Sequence, residues 1–198
     1  MVSKATSKRP YLAKPDRRAA LLEVAAEIAR AQGWSALTMI SLAEGAKVSR
    51  QLVYQHFPSV NELIAQTLEH LFRGQYERIR EHISNPDLSL VELVELAEKE
   101  TFDAPPEQVR ALWQMLTAAD TGVDEVATVS RRLRHLLIKL WAPLIQQRTG
   151  CDESRSRALA WMMLMATWGA HQMVEDGELS RKTAVALSTE LMLRLGQS

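Results

Sequence analysis

The chain has 198 residues, a formal net charge of +0 and a single cysteine, Cys151. That length is enough for one large or two small domains with a hydrophobic core, and one cysteine excludes an intrachain disulfide. The charge is unevenly divided, because residues 1–60 hold nine Lys and Arg against four Asp and Glu, which leaves +5 there and −5 in the remainder. We therefore expect a first third that faces a polyanion, joined to a larger and mildly acidic part.

Hydrophobic stretches along the chain are too short to cross a bilayer. The longest, ALAWMMLMATWGA at residues 158–170, falls short of the roughly 18 to 20 residues that a membrane span requires. The basic N-terminus lacks the apolar core of a secretory signal. A soluble, cytoplasmic protein is the prediction, and the sparse use of cysteine agrees with a reducing compartment.

Apolar residues recur at spacings of three and four from one end of the chain to the other, and the alternation typical of strands is absent. This pattern predicts an all-α fold. The first helix should follow Pro15, with Asp16 as its cap, and end at Gly33. Its inward face is formed by Leu21, Val24, Ala25 and Ile28.

Two short helices joined by a tight turn come next. The first is predicted from Thr38 to Gly45, with Leu42 and Ala43 turned inward. The second is predicted at residues 49–57, where a following proline cannot continue it. Together they have the dimensions of a helix-turn-helix.

Longer helices fill the remainder of the chain. Ser59 should cap the fourth, with the Glu62 side chain reaching back to the Ser59 amide. This helix should run to about Ser84, and further helices are predicted at about 88–103, 106–119, 123–149, 153–176 and 181–195, separated by turn and cap residues. The chain therefore divides near residue 60.

The second short helix carries side chains suited to reading DNA. Val53 and Phe57 lie four residues apart and should pack inward, which leaves an outer face of Arg50, Gln51, Tyr54 and Gln55. Arginine pairs with guanine, glutamine pairs with adenine, and Leu52 can meet a thymine methyl group. The groups suited to phosphate oxygens are Thr38, Ser49, Tyr54 and His56. The pattern predicts a helix in the major groove, and the alternative is an ordinary surface helix.

The segment LTMISLAEGAKVSRQLVYQHFPSVNEL, residues 37–63, resembles the DNA-binding signature of the TetR family of bacterial transcription regulators. The matching positions are Thr38, Leu42, Ala43, Ala46, Val48, Ser49, Tyr54, His56 and Phe57. The preceding RRAALLEVAAEIARAQGWSALT is similar to the first helix of that family, so the specific resemblance covers roughly residues 15–65. It implies an N-terminal three-helix helix-turn-helix DNA-binding domain plus a larger C-terminal helical ligand-binding and dimerisation domain.

On this basis we expect a basic flexible tail at residues 1–14, the DNA-binding domain at 15–60 and the effector-binding and dimerisation domain at 61–198. Two positions depart from the family pattern. Lys47 stands where the turn usually has Gly, so a left-handed residue there is strained by about 1 kcal/mol, and Lys47 is a candidate phosphate contact. Val60 replaces a usual Lys and removes one charge contact. The basic tail either compensates along the DNA or is merely solvated.

Large, adaptable apolar side chains are concentrated after residue 110. Met and Trp can line a cavity for a bulky apolar or aromatic effector, although packing in the core is their commoner use and stays open for each residue. The predicted ligand-binding residues are Trp113, Leu116, Trp141, Trp161, Met165 and Trp168.

The last two helices are the ones that the family uses for its dimer interface. Their apolar stripes include small residues that allow close helix approach, and a monomer would leave them exposed. The predicted interface residues are Leu159, Met162, Met163, Ala166, Ala170, Leu187 and Leu191. A homodimer would place two recognition helices about 34 Å apart on a pseudopalindrome.

Catalytic motifs are absent from the sequence: there is no nucleophile elbow, phosphate loop or metal-ligand cluster. His171 and Glu175 lie four apart, but a third metal ligand is not evident. We predict no enzyme activity, no cofactor and no metal. The hypothesis is a dimeric regulator, most simply a repressor released from double-stranded operator DNA by a small apolar or aromatic effector. The alternatives are a helical small-molecule-binding protein or enzyme with a vestigial helix-turn-helix, and a ligand-independent DNA-organising protein.

Overall fold

A computed structural model describes residues 14–85, 87–117 and 124–195 of the chain. Within these ranges the protein is built from helices and has no strand, which confirms the all-α prediction. The helices are α1 (Lys14–Gln32), α2 (Met39–Ala46), α3 (Arg50–His56), α4 (Val60–Ile83), α5 (Leu90–Asp103), α6 (Pro106–Thr117), α7 (Asp124–Thr149), α8 (Glu153–Glu175) and α9 (Arg181–Leu195). A 3-10 turn at Trp34–Ala36 separates α1 from α2. Predicted and observed ends agree to within a few residues.

Side-chain caps explain where several helices begin. Thr38 and Ser49 each accept a hydrogen bond from a backbone N–H three residues ahead, as N-caps do. Ser59 caps α4 in the same way, but Glu62 does not complete the predicted reciprocal pair and instead accepts a hydrogen bond from the Gln66 amide. The predicted cap at Asp16 is also wrong, because this residue lies inside the first turn of α1.

The first three helices enclose a small core. Leu21, Ala25 and Ile28 of α1 are buried as predicted, facing Leu42 of α2. Gly45 permits the close approach of α1, because a Cβ added there would lie 3.0 Å from Cγ1 of Val24. Small residues at such a contact let two helices pack tightly.

The fourth helix joins this unit to the remainder of the protein. It packs against α1 on one side and against α5, α6 and α7 on the other. Trp34 makes a second connection between the two parts: its indole Nε1 donates a 2.8 Å hydrogen bond to the Ala111 carbonyl of α6. Helices α8 and α9 form an outer layer, with α8 against α7 and α9 against α5. No helix in the described part of the chain is long and apolar enough to cross a membrane.

Candidate functional site

The turn between α2 and α3 is closed by backbone hydrogen bonds. The Val48 N–H donates to the Ala43 carbonyl at 2.9 Å, and the Lys47 N–H donates to Glu44 at 3.1 Å. Lys47 has φ 54° and ψ 47°, which makes it the one non-glycine residue with positive φ in the described ranges. The expected left-handed conformation is confirmed, at a cost of about 1 kcal/mol. The exposed Lys47 side chain stands beside the start of α3.

The inner side of α3 anchors it firmly. Val53 and Phe57 are both fully buried, as the sequence predicted. The Arg18 guanidinium of α1 lies 5.5 Å from the centre of the Phe57 ring, a cation–π contact. At the N-terminus, Ser49 Oγ accepts a 3.2 Å hydrogen bond from the Leu52 N–H. The helix is therefore held in one orientation by its buried side.

The outer side of α3 presents polar groups to solvent. Tyr54 is 55% exposed, and the same surface carries Arg50, Gln51 and Gln55. Leu52 is half-buried at its edge. The outer surface of the helix thus offers hydrogen-bond donors, acceptors and an aromatic ring on a rigid element, as reading of base edges requires.

His56 does not lie on this surface. It is only 6% exposed, and its ring centre is 6.4 Å from that of Phe57. Three residues after Val53, a helical side chain returns to nearly the same side, so position 56 turns inward. The predicted direct phosphate contact of His56 is therefore corrected to a role in packing α3.

The surroundings of α3 include two further exposed apolar residues. Ile40 of α2 is 44% exposed, and Val60 at the start of α4 is 37% exposed. Thr38 is exposed at the N-terminus of α2, where its hydroxyl already serves as a cap. Most of the predicted basic tail, including Lys4, lies outside the described residues.

A cavity of about 50 Å³ lies between α4, α5, α6, α7 and α8, which is room for on the order of three or four water molecules. Three of the predicted ligand-binding residues line it, namely Trp113, Leu116 and Trp141. Met163, predicted at a dimer interface, lines it as well. The internal cavity is mainly apolar and aromatic.

The remaining predicted ligand residues lie elsewhere. Trp161, Met165 and Trp168 are half-buried on α8 and are not among the residues that line the internal cavity. Trp161 packs instead under the Arg134 guanidinium, which is 5.8 Å from its ring centre. Helix α8 therefore divides its large side chains between two sides, a division that residue type alone does not indicate.

A carboxyl group in the cavity wall was not predicted. Glu98 of α5 is 4% exposed, and its Oε1 accepts a 2.5 Å hydrogen bond from the Thr167 hydroxyl. Oε2 is buried and makes no hydrogen bond to any described residue. Burial raises the pKa of Glu98 to about 7, against the opposing effect of the Thr167 and Ser188 hydroxyls. One sequence signal existed: Val94 lies four positions before Glu98, on the buried side of α5.

Two further polar residues complete the wall. Gln75 donates a 3.2 Å hydrogen bond to the Thr101 hydroxyl, and both line the cavity. Thr101 in turn donates to the Ala97 carbonyl at 2.9 Å. These groups are buried and hydrogen-bonded, so they stabilise the cavity wall. Oε2 of Glu98 is the polar atom of this wall that has no hydrogen-bond partner among the described residues.

His171 and Glu175 each make other contacts in the structure. His171 is buried and stacks on Phe102 with ring centres 5.7 Å apart. Burial lowers its pKa, and Glu175 is paired with Arg110 at 2.8 Å. Within the described ranges, no three His, Cys, Asp or Glu side chains are grouped to hold a metal ion.

An exposed apolar surface covers the outside of α8 and α9, and we call it the α8–α9 surface. It is formed by Met162, Met173, Leu187 and Leu191, which are between 41% and 55% exposed. The predicted interface residues Ala166 and Ala170 are half-buried. Leu159 and Met163 are buried inside the protomer at 8% and 4% exposure, so they cannot contact a partner and that part of the prediction is corrected.

A comparison with protein families finds a match for the first part of the chain. Residues 21–67 match the sequence profile described as bacterial regulatory proteins, tetR family. This segment contains α2, the turn at Lys47 and α3 in full, together with most of α1. None of the curated proteins matches the sequence.

Solved structures match nearly the whole chain at low identity. A TetR-like transcriptional regulator from Rhodococcus sp. RHA1 is 20% identical, with a TM-score of 0.68 over 93% of this chain and 97% of that one. GusR from Salmonella enterica is 19% identical, with a TM-score of 0.72 over 94% and 99%. The multidrug binding protein EbrR, complexed with imidazole, is 18% identical, with a TM-score of 0.70 over 92% and 96%. These likenesses establish a shared fold along both regions of the chain.

Proposed function

We propose that this chain, whose residues 21–67 match the tetR family of bacterial regulatory proteins, is a homodimeric repressor released from its operator by an effector in the internal cavity. The match over these residues supports a DNA-binding transcriptional regulator, and the repressor role, the dimer and the effector are the finer parts of the proposal. The observation that carries it is the outer surface of α3. Arg50, Gln51, Tyr54 and Gln55 are exposed there, on a helix that Val53 and Phe57 hold from behind.

Each part of this surface has a distinct role in the proposal. Arg50 and Gln51 read base edges, Leu52 meets a thymine methyl group, and Gln55 extends the contact along the groove. Ser49, Tyr54 and Thr38 hold phosphate oxygens, and Lys47 adds a phosphate charge contact from the turn.

The α8–α9 surface supports the dimer. Four large apolar side chains are exposed on two helices that pack against each other, and large exposed apolar patches are rare on monomeric proteins. An isologous pairing of two copies would bury them, with half-buried Ala166 and Ala170 allowing close approach. The two α3 helices would then meet successive major grooves of a pseudopalindrome.

Helix α4 is the proposed route from effector to DNA. Its first half is tied to α1, where Arg18 Nε donates a 3.0 Å hydrogen bond to Gln66, and its second half lines the cavity with Phe72 and Ile79. A ligand larger than the cavity would have to displace α4 relative to α7. Because only three residues separate the end of α3 from the start of α4, the displacement would change the spacing of the recognition helices and lower operator affinity.

Selection of genomic DNA fragments by the purified protein at near-physiological salt tests this function. We expect one pseudopalindrome to be enriched by the wild type, and the enrichment to be lost in the double variant Arg50→Ala with Gln51→Ala. Gln114→Ala, an exposed glutamine on α6, is the matched control and should select the same sequence.

The outcomes separate the proposal from its alternatives. No enrichment by the ligand-free wild type would overturn DNA reading by α3 and leave a small-molecule-binding protein with a vestigial helix-turn-helix. Footprints that lengthen with protein concentration, without a preferred site, would indicate a DNA-organising protein.

A further inference from the structure

We infer that the internal cavity takes a lipophilic organic cation, with the Glu98 carboxylate as its counter-ion; as the identity of the effector, this rests on the function proposed above. The first observation is the state of Glu98 itself. The side chain is 4% exposed and lines the cavity, and its Oε2 has no hydrogen-bond partner among the described residues. Buried carboxylate oxygens without a partner are costly, and a ligand that donates to Oε2 or brings a positive charge removes that cost.

The charge of the cavity wall decides which ligands fit. Glu98 is the sole Asp, Glu, Lys, Arg or His among the described residues that line it. A ligand carboxylate or phosphate would meet this acid with no compensating cation, so anionic ligands are disfavoured. A cation would gain a buried partner.

Aromatic rings in the same wall favour a cation further. Trp113, Trp141, Phe72 and Tyr76 all line the cavity. Phe72 and Tyr76 stack with ring centres 5.3 Å apart. Faces of aromatic rings attract quaternary and alkyl ammonium groups, most strongly where water is excluded. Four rings and one carboxylate provide both the apolar and the electrostatic part of such recognition.

The position of Glu98 also connects the ligand to the α8–α9 surface. Its carboxyl is held by Thr167 of α8, and the hydroxyl of Ser188 on α9 lies close enough to lower its pKa. A cation at Oε2 would therefore act on the two helices of the proposed dimer as well as on α4. The cavity of about 50 Å³ must widen to admit an aromatic ring, through the displacement of α4 together with a change in the flexible Met163 side chain in its wall.

The test uses two probes of nearly equal shape. Benzyltrimethylammonium carries a permanent positive charge, and neopentylbenzene is its neutral isostere. Binding of each to the full-length protein without DNA is followed at pH 8.5 through tryptophan fluorescence, since Trp113 and Trp141 line the cavity. We expect the wild type to bind the cation at least about tenfold more tightly than the isostere, as a buried charge pair implies.

Variants of two acids on α5 assign this preference to one residue. Glu98→Gln should lose the preference for the cation while still binding neopentylbenzene. Glu95→Gln, which changes an exposed acid on the same helix, should keep it. Equal affinity of the wild type for the two probes, or an unchanged preference in Glu98→Gln, would overturn the inference.

A second measurement on the wild type covers the case in which Glu98→Gln does not fold. The other polar residues of the cavity wall are Gln75, Tyr76, Thr101 and Thr167, and Ser188 of α9 lies close to Glu98. His171 follows Thr167 by one turn of α8. Amide and aliphatic hydroxyl groups do not titrate in this range, and burial lowers the pKa of His171, so the Glu98 carboxyl is expected to govern any change of affinity between pH 6.5 and 8.5. Cation affinity should fall about fourfold from pH 8.5 to 6.5 as Glu98 is protonated. A constant affinity would count against the site.

Failure of this inference and failure of the proposed function have different signatures. A protein that selects a pseudopalindrome but binds neither probe, or binds both equally, keeps its regulatory role and loses the cation site. A protein that binds the cation through Glu98 but selects no DNA keeps the site and loses the proposed regulation. Release of selected operator DNA by benzyltrimethylammonium, and not by neopentylbenzene, is the result expected if both hold.

Discussion

The N-terminal helices and the C-terminal bundle place their polar groups in opposite ways. Around α3 the polar side chains point outward and the apolar ones, Val53 and Phe57, form the core. In the bundle, the polar groups Glu98 and Thr167 are buried at the cavity, while Leu187 and other large apolar side chains are exposed outside. An outward polar surface suits a hydrated, charged partner, whereas an outward apolar surface suits a second copy of the chain.

The largest expected effect concerns the apolar exterior of the bundle. Leu187→Glu adds a charge to the α8–α9 surface, where Leu187 is 48% exposed. We expect the variant to remain folded but to sediment as a monomer, and its operator affinity to fall at least about 100-fold, because two linked half-site contacts become independent. Gln114→Glu adds the same charge to an exposed position on α6 and should stay dimeric. If Leu187→Glu remains a dimer, the α8–α9 surface is not the dimer interface.

The buried acid of the bundle should make stability depend on pH. The pKa of Glu98 rises from 4.5 to about 7 on folding, so between these values the folded state holds a proton that the unfolded state has lost. Stability therefore falls as pH rises through this range, by about 3 kcal/mol. The quantity to compare is the free energy of unfolding of Glu98→Gln minus that of the wild type at the same pH. This difference should increase by the same amount from pH 4 to pH 8.

The comparison of two proteins at each pH isolates the contribution of Glu98. His171 has a lowered pKa and weakens the fold in the opposite direction, as pH falls, but it is present in both proteins. Denaturant titrations supply the free energies, and Glu95→Gln provides the exposed control. A difference that does not vary with pH would mean that Glu98 is solvated.

Substitutions on the outer surface of α3 should distinguish contacts to bases from contacts to phosphates. Arg50→Ala is expected to cost roughly 1–3 kcal/mol of discrimination at one base position, whereas Tyr54→Phe should weaken binding evenly across sequences. Both side chains are exposed, so neither change should alter the unfolding midpoint. Affinities for an operator and its single-base variants measure both quantities. An even loss from Arg50→Ala would remove it from base reading.

The smallest effect belongs to the turn before α3. Lys47→Gly relieves the left-handed strain seen at φ 54°, although glycine also gains entropy in the unfolded chain. We expect Lys47→Gly to be about 1 kcal/mol more stable than Lys47→Ala in thermal or denaturant unfolding. Both variants remove the charge, so an equal loss of DNA affinity in the two would assign a phosphate contact to Lys47. Unchanged affinity in both would exclude that contact.

Much of the fold follows from the sequence because its causes are local. Apolar spacing of three and four, hydroxyl caps such as Ser49 and Ser59, and the stop at Pro58 act within one or two helical turns. The same holds for the outer surface of α3 and the left-handed turn at Lys47. The outward direction predicted for His56 was wrong although the local signal was present, because a spacing of three from Val53 turns position 56 to the buried side of α3.

The buried sites needed tertiary structure because several helices decide them together. Glu95 and Glu98 look alike in LVELVELAEKE, and only the packing of α9 against α5, with Thr167 of α8 at the Glu98 carboxyl, buries one and exposes the other. Met162 and Met163 are neighbours, yet one is 55% exposed on the outer surface and the other lines the cavity. The sequence by itself determined the helices, most of their caps and the exposed side chains of α3, since each depends on residues near it. The cavity, its acid and the exposed apolar surface were decided by contacts between residues distant in the chain, which periodicity does not encode.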